Sequence, residues 1–218
     1  SNREALASCV LEFLEAAIHE FLYASSHSRQ AFEKRALYNV PVHMSRHPLL
    51  CEYVHSMLVG CRTWILKAEL EKLRVVVLSE QGRVVTSLVM EPRIDLSAYD
   101  ARPAPDSSRP LPLRQLEEVL RDALVSIVAT PVTVDVESNS ETASSFRILV
   151  ETIEDAKNPT TSVDASEPSN SWVLADPFWR QEVATQEREV IPVKMAQASD
   201  CPLKMNLYME NASSGSKH

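Results

Sequence analysis

Near the start of the chain Leu6, Val10, Phe13, Ala17 and Phe21 recur at three- and four-residue steps, with Leu14, Ile18 and Leu22 widening the stripe. That period predicts an amphipathic helix buried on a broad face. Residues 3–38 hold no Pro or Gly to interrupt it, Glu12, Glu15 and Glu20 fall on the other side, and His19 pairs with Glu15 one turn away. At Tyr38–Pro48 the pattern breaks. Pro41 holds Val40 extended and blocks helix continuation. Pro48 suits the first turn of a second helix running to about Lys67, with Leu50, Tyr53 or Val54, Met57, Cys61 and Trp64 as its stripe. The segment between them is expected to be a hinge between two elements.

Further on the period changes to two. Leu73–Leu78 is a β-branched run, Ser79-Glu80-Gln81-Gly82 has turn chemistry, and Val84–Met90 is the return strand of a hairpin. Residues 92–112 carry five prolines and are expected to form a long loop. Leu116, Val119, Leu120, Ala123, Leu124, Ile127 and Val128 define a third helix. Val132–Val136 and Phe146–Val150 are predicted strands, and residues 154–171, rich in Ser, Thr, Asn, Asp and Pro, a mobile loop. Val190–Met195 contains a proline, which places it at a sheet edge or a strand end. Leu203, Met205, Leu207 and Met209 alternate without a fault against Lys204, Asn206, Tyr208 and Glu210. Antiparallel strands beside helices make this an α+β layer fold.

Composition narrows the function classes. A hydrophobic share of 44% suits a packed domain. No run of 18 apolar residues calls for a membrane span, and no signal-peptide pattern opens the sequence. A net charge of −8 argues against an extended contact with a phosphate backbone. Three glycines, none clustered, cannot build a phosphate-cradling loop or a dinucleotide fingerprint. Cys9, Cys51, Cys61 and Cys201 lack any Cys-x-x-Cys spacing and are expected to be reduced and mostly buried. His43 and His47 stand four apart, but the prolines around them disfavour a shared helix face, and no second ligand cluster accompanies them. No constellation of nucleophile, acid and base emerges, so no catalytic residue, metal or cofactor is assigned.

Three blocks carry a resemblance. They are Tyr38-Asn39-Val40-Pro41-Val42-His43-Met44-Ser45-Arg46-His47-Pro48, then Leu70–Leu78 with its return strand ending at Glu91, then Trp172-Val173-Leu174-Ala175-Asp176 with Ile191-Pro192-Val193-Lys194 and Leu203–Glu210. In order and spacing they resemble the HORMA-domain accessory subunits of DNA polymerase zeta, over residues 9–210. The spindle-checkpoint HORMA proteins share that fold, but Met-Ser-x-His-Pro and Trp-x-Leu-Ala-Asp look like the polymerase subunits.

The resemblance implies one HORMA domain over residues 3–210, with a C-terminal safety belt over about 154–210 and a flexible tail at 211–218. It implies a non-catalytic adaptor in translesion synthesis, nuclear with a cytoplasmic pool. The belt would trap a proline-containing peptide of the catalytic polymerase subunit, with Tyr53, Trp172 and Leu174 lining the site. Val190, Asn206 and Tyr208 match the positions that bind the C-terminal domain of the scaffold deoxycytidyl-transferase polymerase; Val190 and Asn206 are shorter than the residues vertebrate members carry there. Arg121 matches an arginine used in HORMA–HORMA dimerisation, with a second copy or another HORMA protein. A AAA+ ATPase would reopen the belt. The alternative it leaves open is a cell-cycle HORMA adaptor that inhibits a ubiquitin-ligase activator. From the residues alone, Tyr53 reads as a core residue of its stripe, Tyr208 as an exposed strand tyrosine, and Arg121 as a solvated helix charge.

Overall fold

A computed structural model describes residues 2–25, 29–95, 97, 111–132, 143–153 and 188–212. The predicted strand at Val132–Val136 beyond Val132, the loop at 154–171, and Trp172 and Leu174 lie outside these residues.

The first helix, α1 (Asn2–Ser25), is shorter than its proline-free stretch allows. A short 3-10 turn at Arg29–Ala31 leads into β1 (Phe32–Leu37) and β2 (Val40–Ser45), an antiparallel pair with Leu37 opposite Val40. The expected hinge is therefore a turn and a strand. Tyr38 and Asn39 form the turn, both left-handed at φ 51° and 60°, the backbone that a tight hairpin needs to match strand twist. Asn tolerates that region; Tyr does so at a cost. Its hydroxyl, 3.3 Å from the Cys9 carbonyl and 3.4 Å from Glu12, ties the turn to α1.

Helix α2 (Pro48–Leu66) opens on Pro48 as expected and buries Val54, Met57, Leu58, Cys61, Trp64 and Ile65. Tyr53 is not part of that stripe: it is 48% exposed. Strands β3 (Leu70–Ser79) and β4 (Val84–Ile94) form the expected hairpin, longer than the apolar runs suggested. Pro92 sits inside β4 and not in a loop. The β3–β4 ladder ends at Met90, so the missing N–H removes nothing on that side. Helix α3 (Leu113–Ala129) buries the predicted stripe, except that Val128 is 38% exposed. Strands β5 (Ala143–Thr152), β6 (Arg188–Ala196) and β7 (Leu203–Ala212) complete a five-stranded antiparallel sheet of order β5-β3-β4-β7-β6. Pro192 falls, as its chemistry requires, on an end strand at a register shift.

Packing makes layers. Helix α3 lies on β6 and β7, α2 on β3, and α1 touches α2, α3 and β2. Being flanked on several sides, α1 loses its amphipathic character in its second half: every residue from Ala16 to Leu22 is buried. Glu20 is thus not on a solvated face. Its carboxylate accepts the His43 backbone N–H at 2.6 Å and lies 3.1 Å from His43 Nδ1. Tyr23 stacks flat on the His43 ring at 3.6 Å. His19 does not pair with Glu15. It is fully buried and its Nδ1 accepts the Ser45 N–H at 3.3 Å, while Glu15 faces His55. Burial, with the Arg35 cation adding to it, holds the His19 imidazole down from 6.5 to about 4. His43 lies in β2 and His47 immediately precedes α2, so the two do not share a helix.

Candidate protein-interaction sites

The sheet ends on one side in β5. Beyond β5 no described strand pairs, so its outward-facing N–H and C=O groups form an open edge among the described residues. Phe146, Ile148 and Val150 face the helices. Tyr53 of α2 leans edge-on against Phe146, ring centroids 5.8 Å apart. Burial pushes the Tyr53 hydroxyl above its usual range, against the opposing pull of the Arg147 cation. A half-exposed aromatic beside an unpaired strand edge is the arrangement that β-strand addition uses: backbone bonds for affinity, a side-chain anchor for selectivity. Phe146 and the edge itself went unassigned in the sequence; a free edge has no local signature, because it depends on which strand lacks a neighbour.

At the other end of the sheet, α3 covers one face of β6–β7 and leaves the opposite face outward. The alternation of β7 sets this. Leu203, Met205, Leu207 and Met209 are buried, while Asn206 and Tyr208 point away from the helices. Val190, 56% exposed, joins them on that face, since it pairs with Glu210 and Pro192 with Tyr208. The structure therefore brings Val190, Asn206 and Tyr208 together, with Met195 opposite Asn206 and 54% exposed. Tyr208 is less open than a surface strand tyrosine. Its hydroxyl donates to Glu91 Oε1 at 3.0 Å, and Asn206 Nδ2 donates to Glu91 Oε2 at 2.9 Å. Lys72 Nζ lies 3.5 Å from Glu91 and 3.6 Å from Glu151. Burial pushes the Glu91 carboxyl up, but the hydrogen bonds from Asn206 and Tyr208 and the nearby ammonium outweigh it and hold it below its usual range. Beside this network an open hollow of about 500 Å³ runs along Lys72, Glu91, Arg93, Glu151 and Ile153.

Arg121 is exposed on α3, with Val125 and Val128 one and two turns along on the same face, 45% and 38% exposed. An exposed helix face that carries two valines next to an arginine is suited to contact with another protein. Among the described residues, no group of three or more His, Cys, Asp or Glu side chains is placed to hold a metal ion.

No protein-family profile matches the chain. The "Mitotic spindle assembly checkpoint protein MAD2B" of Danio rerio is 33% identical over 208 residues, covering 95% of this chain and 91% of its own. The human protein of that name is 32% identical over 212 residues, with the same coverage. The chain belongs to the MAD2B family. A protein of Arabidopsis thaliana named "DNA polymerase zeta processivity subunit" is 34% identical over 83 residues, 38% of this chain and 39% of its own. Among solved structures, a chain of the crystal structure of the mitotic checkpoint complex superposes with a TM-score of 0.67 at 18% identity, covering 94% of this chain and 97% of its own. Caenorhabditis elegans HTP-2 bound to HTP-3 closure motif 1 superposes at 0.57 and 10% identity, over 97% of this chain and 87% of its own. These likenesses establish the HORMA fold for this MAD2B family member, helices packed on an antiparallel sheet.

Proposed function

We propose that this protein is a non-catalytic accessory subunit of DNA polymerase zeta in translesion synthesis. It captures an extended, proline-containing peptide of the catalytic subunit as an added strand on β5, beneath a belt formed by about 154–210. The observation that carries this reading is the open β5 edge with Tyr53 packed against Phe146 beside it. Support comes from the plant relative's name and from the closure motif bound to HTP-2. Trp172 and Leu174 of the belt line the same site. A peptide wrapped in this way leaves slowly, since the belt must open first. Reopening is the work of a AAA+ ATPase.

Val190, Asn206 and Tyr208 receive the C-terminal domain of the scaffold polymerase on the outward face of β6–β7, so the two partners occupy opposite ends of one sheet. Arg121, with Val125 and Val128, forms the surface for pairing with another HORMA domain. The chain acts in the nucleus, with a cytoplasmic pool, and needs no cofactor for these roles. A second reading is favoured by the vertebrate relatives' printed name: a cell-cycle adaptor that binds a ubiquitin-ligase activator. Affinity purification from the native cell separates the two. Recovery of a large polymerase subunit supports the first; recovery of ubiquitin-ligase activators alone overturns it.

A further inference from the structure

Glu91 of β4 is the shared acceptor beneath Asn206 and Tyr208, and register puts it there. Glu91 stands opposite Asn206, while Tyr208, opposite Val89, is its diagonal neighbour on β7. Its side chain is 15% exposed. Tyr208 donates to Oε1 and Asn206 Nδ2 to Oε2. The Lys72 ammonium, 3.5 Å from Oε1, also faces the Tyr208 hydroxyl, and Arg93 lies 4.0 Å from Oε2. Both carboxylate oxygens are engaged.

An ionised carboxylate has only acceptor sites, whereas an asparagine amide has a donor end and an acceptor end. Glu91 takes the donor end of Asn206, so the amide turns Oδ1 the other way. Among the described residues nothing donates to that oxygen. Strand β6 flanks it with apolar side chains: Met195 directly opposite, and Val190 farther along, both more than half exposed. A fixed acceptor between open apolar groups fits an N–H donor on an otherwise apolar segment. A partner that brought a second acceptor there would leave both groups desolvated and unpaired.

We propose that Glu91 is a positioning residue of this face: by holding Asn206 and Tyr208 it makes the face a hydrogen-bond acceptor, and the partner group seated there is an N–H donor set among apolar side chains. That the partner is the scaffold polymerase's C-terminal domain rests on the function proposed above; the polarity of the face does not. Glu91 acts through Asn206 and need not touch the partner.

Glu91→Gln separates polarity from packing. The replacement has the same shape but one acceptor and one donor. An ammonium cannot accept, so with Lys72 beside it the Tyr208 hydroxyl still gives its proton to the introduced carbonyl oxygen. The introduced NH2 then faces Asn206 and turns its amide over, so the face presents N–H groups while both hydrogen bonds survive. Adding Asn206→Asp exchanges amide and carboxylate between the two strands. One oxygen of the exchanged carboxylate accepts from the introduced amide and the other faces outward, which restores the acceptor at wild-type charge.

Two measurements on the full chain test this. Nitrogen-edited NMR of the free protein follows the Asn206 side-chain amide protons, which are expected to exchange with water about tenfold faster in Glu91→Gln than in wild type. Calorimetry with the scaffold polymerase's C-terminal domain should show Glu91→Gln binding about tenfold more weakly, and Glu91→Gln/Asn206→Asp within about threefold of wild type. If Glu91→Gln does not fold, the double variant carries the test: wild-type affinity supports the proposal and about tenfold loss overturns it. Wild-type affinity in Glu91→Gln, or unchanged exchange of the Asn206 amide protons, also overturns it. So does a double variant as weak as Glu91→Gln, which would make the charge on β4 the determinant. Wild type that takes up no scaffold domain removes that partner instead, and the acceptor polarity then stands or falls on the Asn206 amide protons.

Discussion

Acidification should loosen this protein through one residue, His19. Its side chain is fully buried in α1, and the Ser45 N–H donates to its Nδ1, so the folded state keeps the ring neutral. Burial, then Arg35, lowers its pKa from 6.5 to about 4. The folded-state value is depressed for a base, so between these two values the unfolded chain binds a proton that the folded chain refuses. Stability is therefore fully present above about pH 6.5 and falls as the pH drops toward about 4. Integrated from about pH 7.5 to about pH 5, that difference amounts to roughly 2 kcal/mol. Other carboxylates and histidines also titrate in this range, so the quantity to measure is a difference between two proteins. Glutamine at position 19 can accept the Ser45 N–H and never titrates. Urea unfolding of wild type and His19→Gln at both pH values, followed by tryptophan fluorescence, gives the two falls in stability. The wild-type fall should exceed the variant's by about 2 kcal/mol. If the two proteins lose stability in parallel, burial of a neutral His19 is not what shapes the acid limb.

Three further outcomes follow, the first two from the proposed function and the third from the turn geometry. Trp172→Ala should weaken capture of a catalytic-subunit peptide by about 2 kcal/mol or more, as for a buried aromatic anchor, measured by calorimetry; unchanged affinity in a folded variant removes it from the site. Asn206→Ala with Tyr208→Ala should lower binding of the scaffold polymerase's C-terminal domain and leave the peptide's affinity as it was; equal loss of both would indicate misfolding. Asn39→Val should cost on the order of 1–2 kcal/mol in thermal unfolding, because a β-branched residue must hold φ near 60° there, and no change would show that the hairpin turn relaxes freely.

How far the sequence spoke depends on the range of the interactions concerned. The β7 alternation and the α3 stripe follow from burial of one face, which a local pattern records directly. The reading failed where an element is enclosed on more than one side. Glu20 looked solvated because α1 was expected to have a free face, yet β2 covers it and supplies His43 as its partner. The β1–β2 hairpin was missed for a different reason. Arg35 and neighbouring polar residues break the apolar alternation, and the turn signal is Tyr38-Asn39, with no glycine to announce φ > 0.

The candidate sites divide along the same line. Asn206 and Tyr208 could be placed on one face from period-two alternation alone, but the carboxylate that orients them sits on β4, more than a hundred residues earlier. Glu210 falls on that face too, and the pattern gave it the same solvated character as Lys204. Its burial comes from Arg74 and Arg188, which no spacing within β7 could reveal. Both carboxylates do the same mechanical work: each ties a β7 side to a neighbouring strand across the outward face. A strand whose apolar face is already satisfied by α3 gains its specific docking from the polar face. Leu203, Met205, Leu207 and Met209 hold β7 in the core whatever its register, and the polar face, through Glu91 and Glu210, selects one register and one set of neighbours.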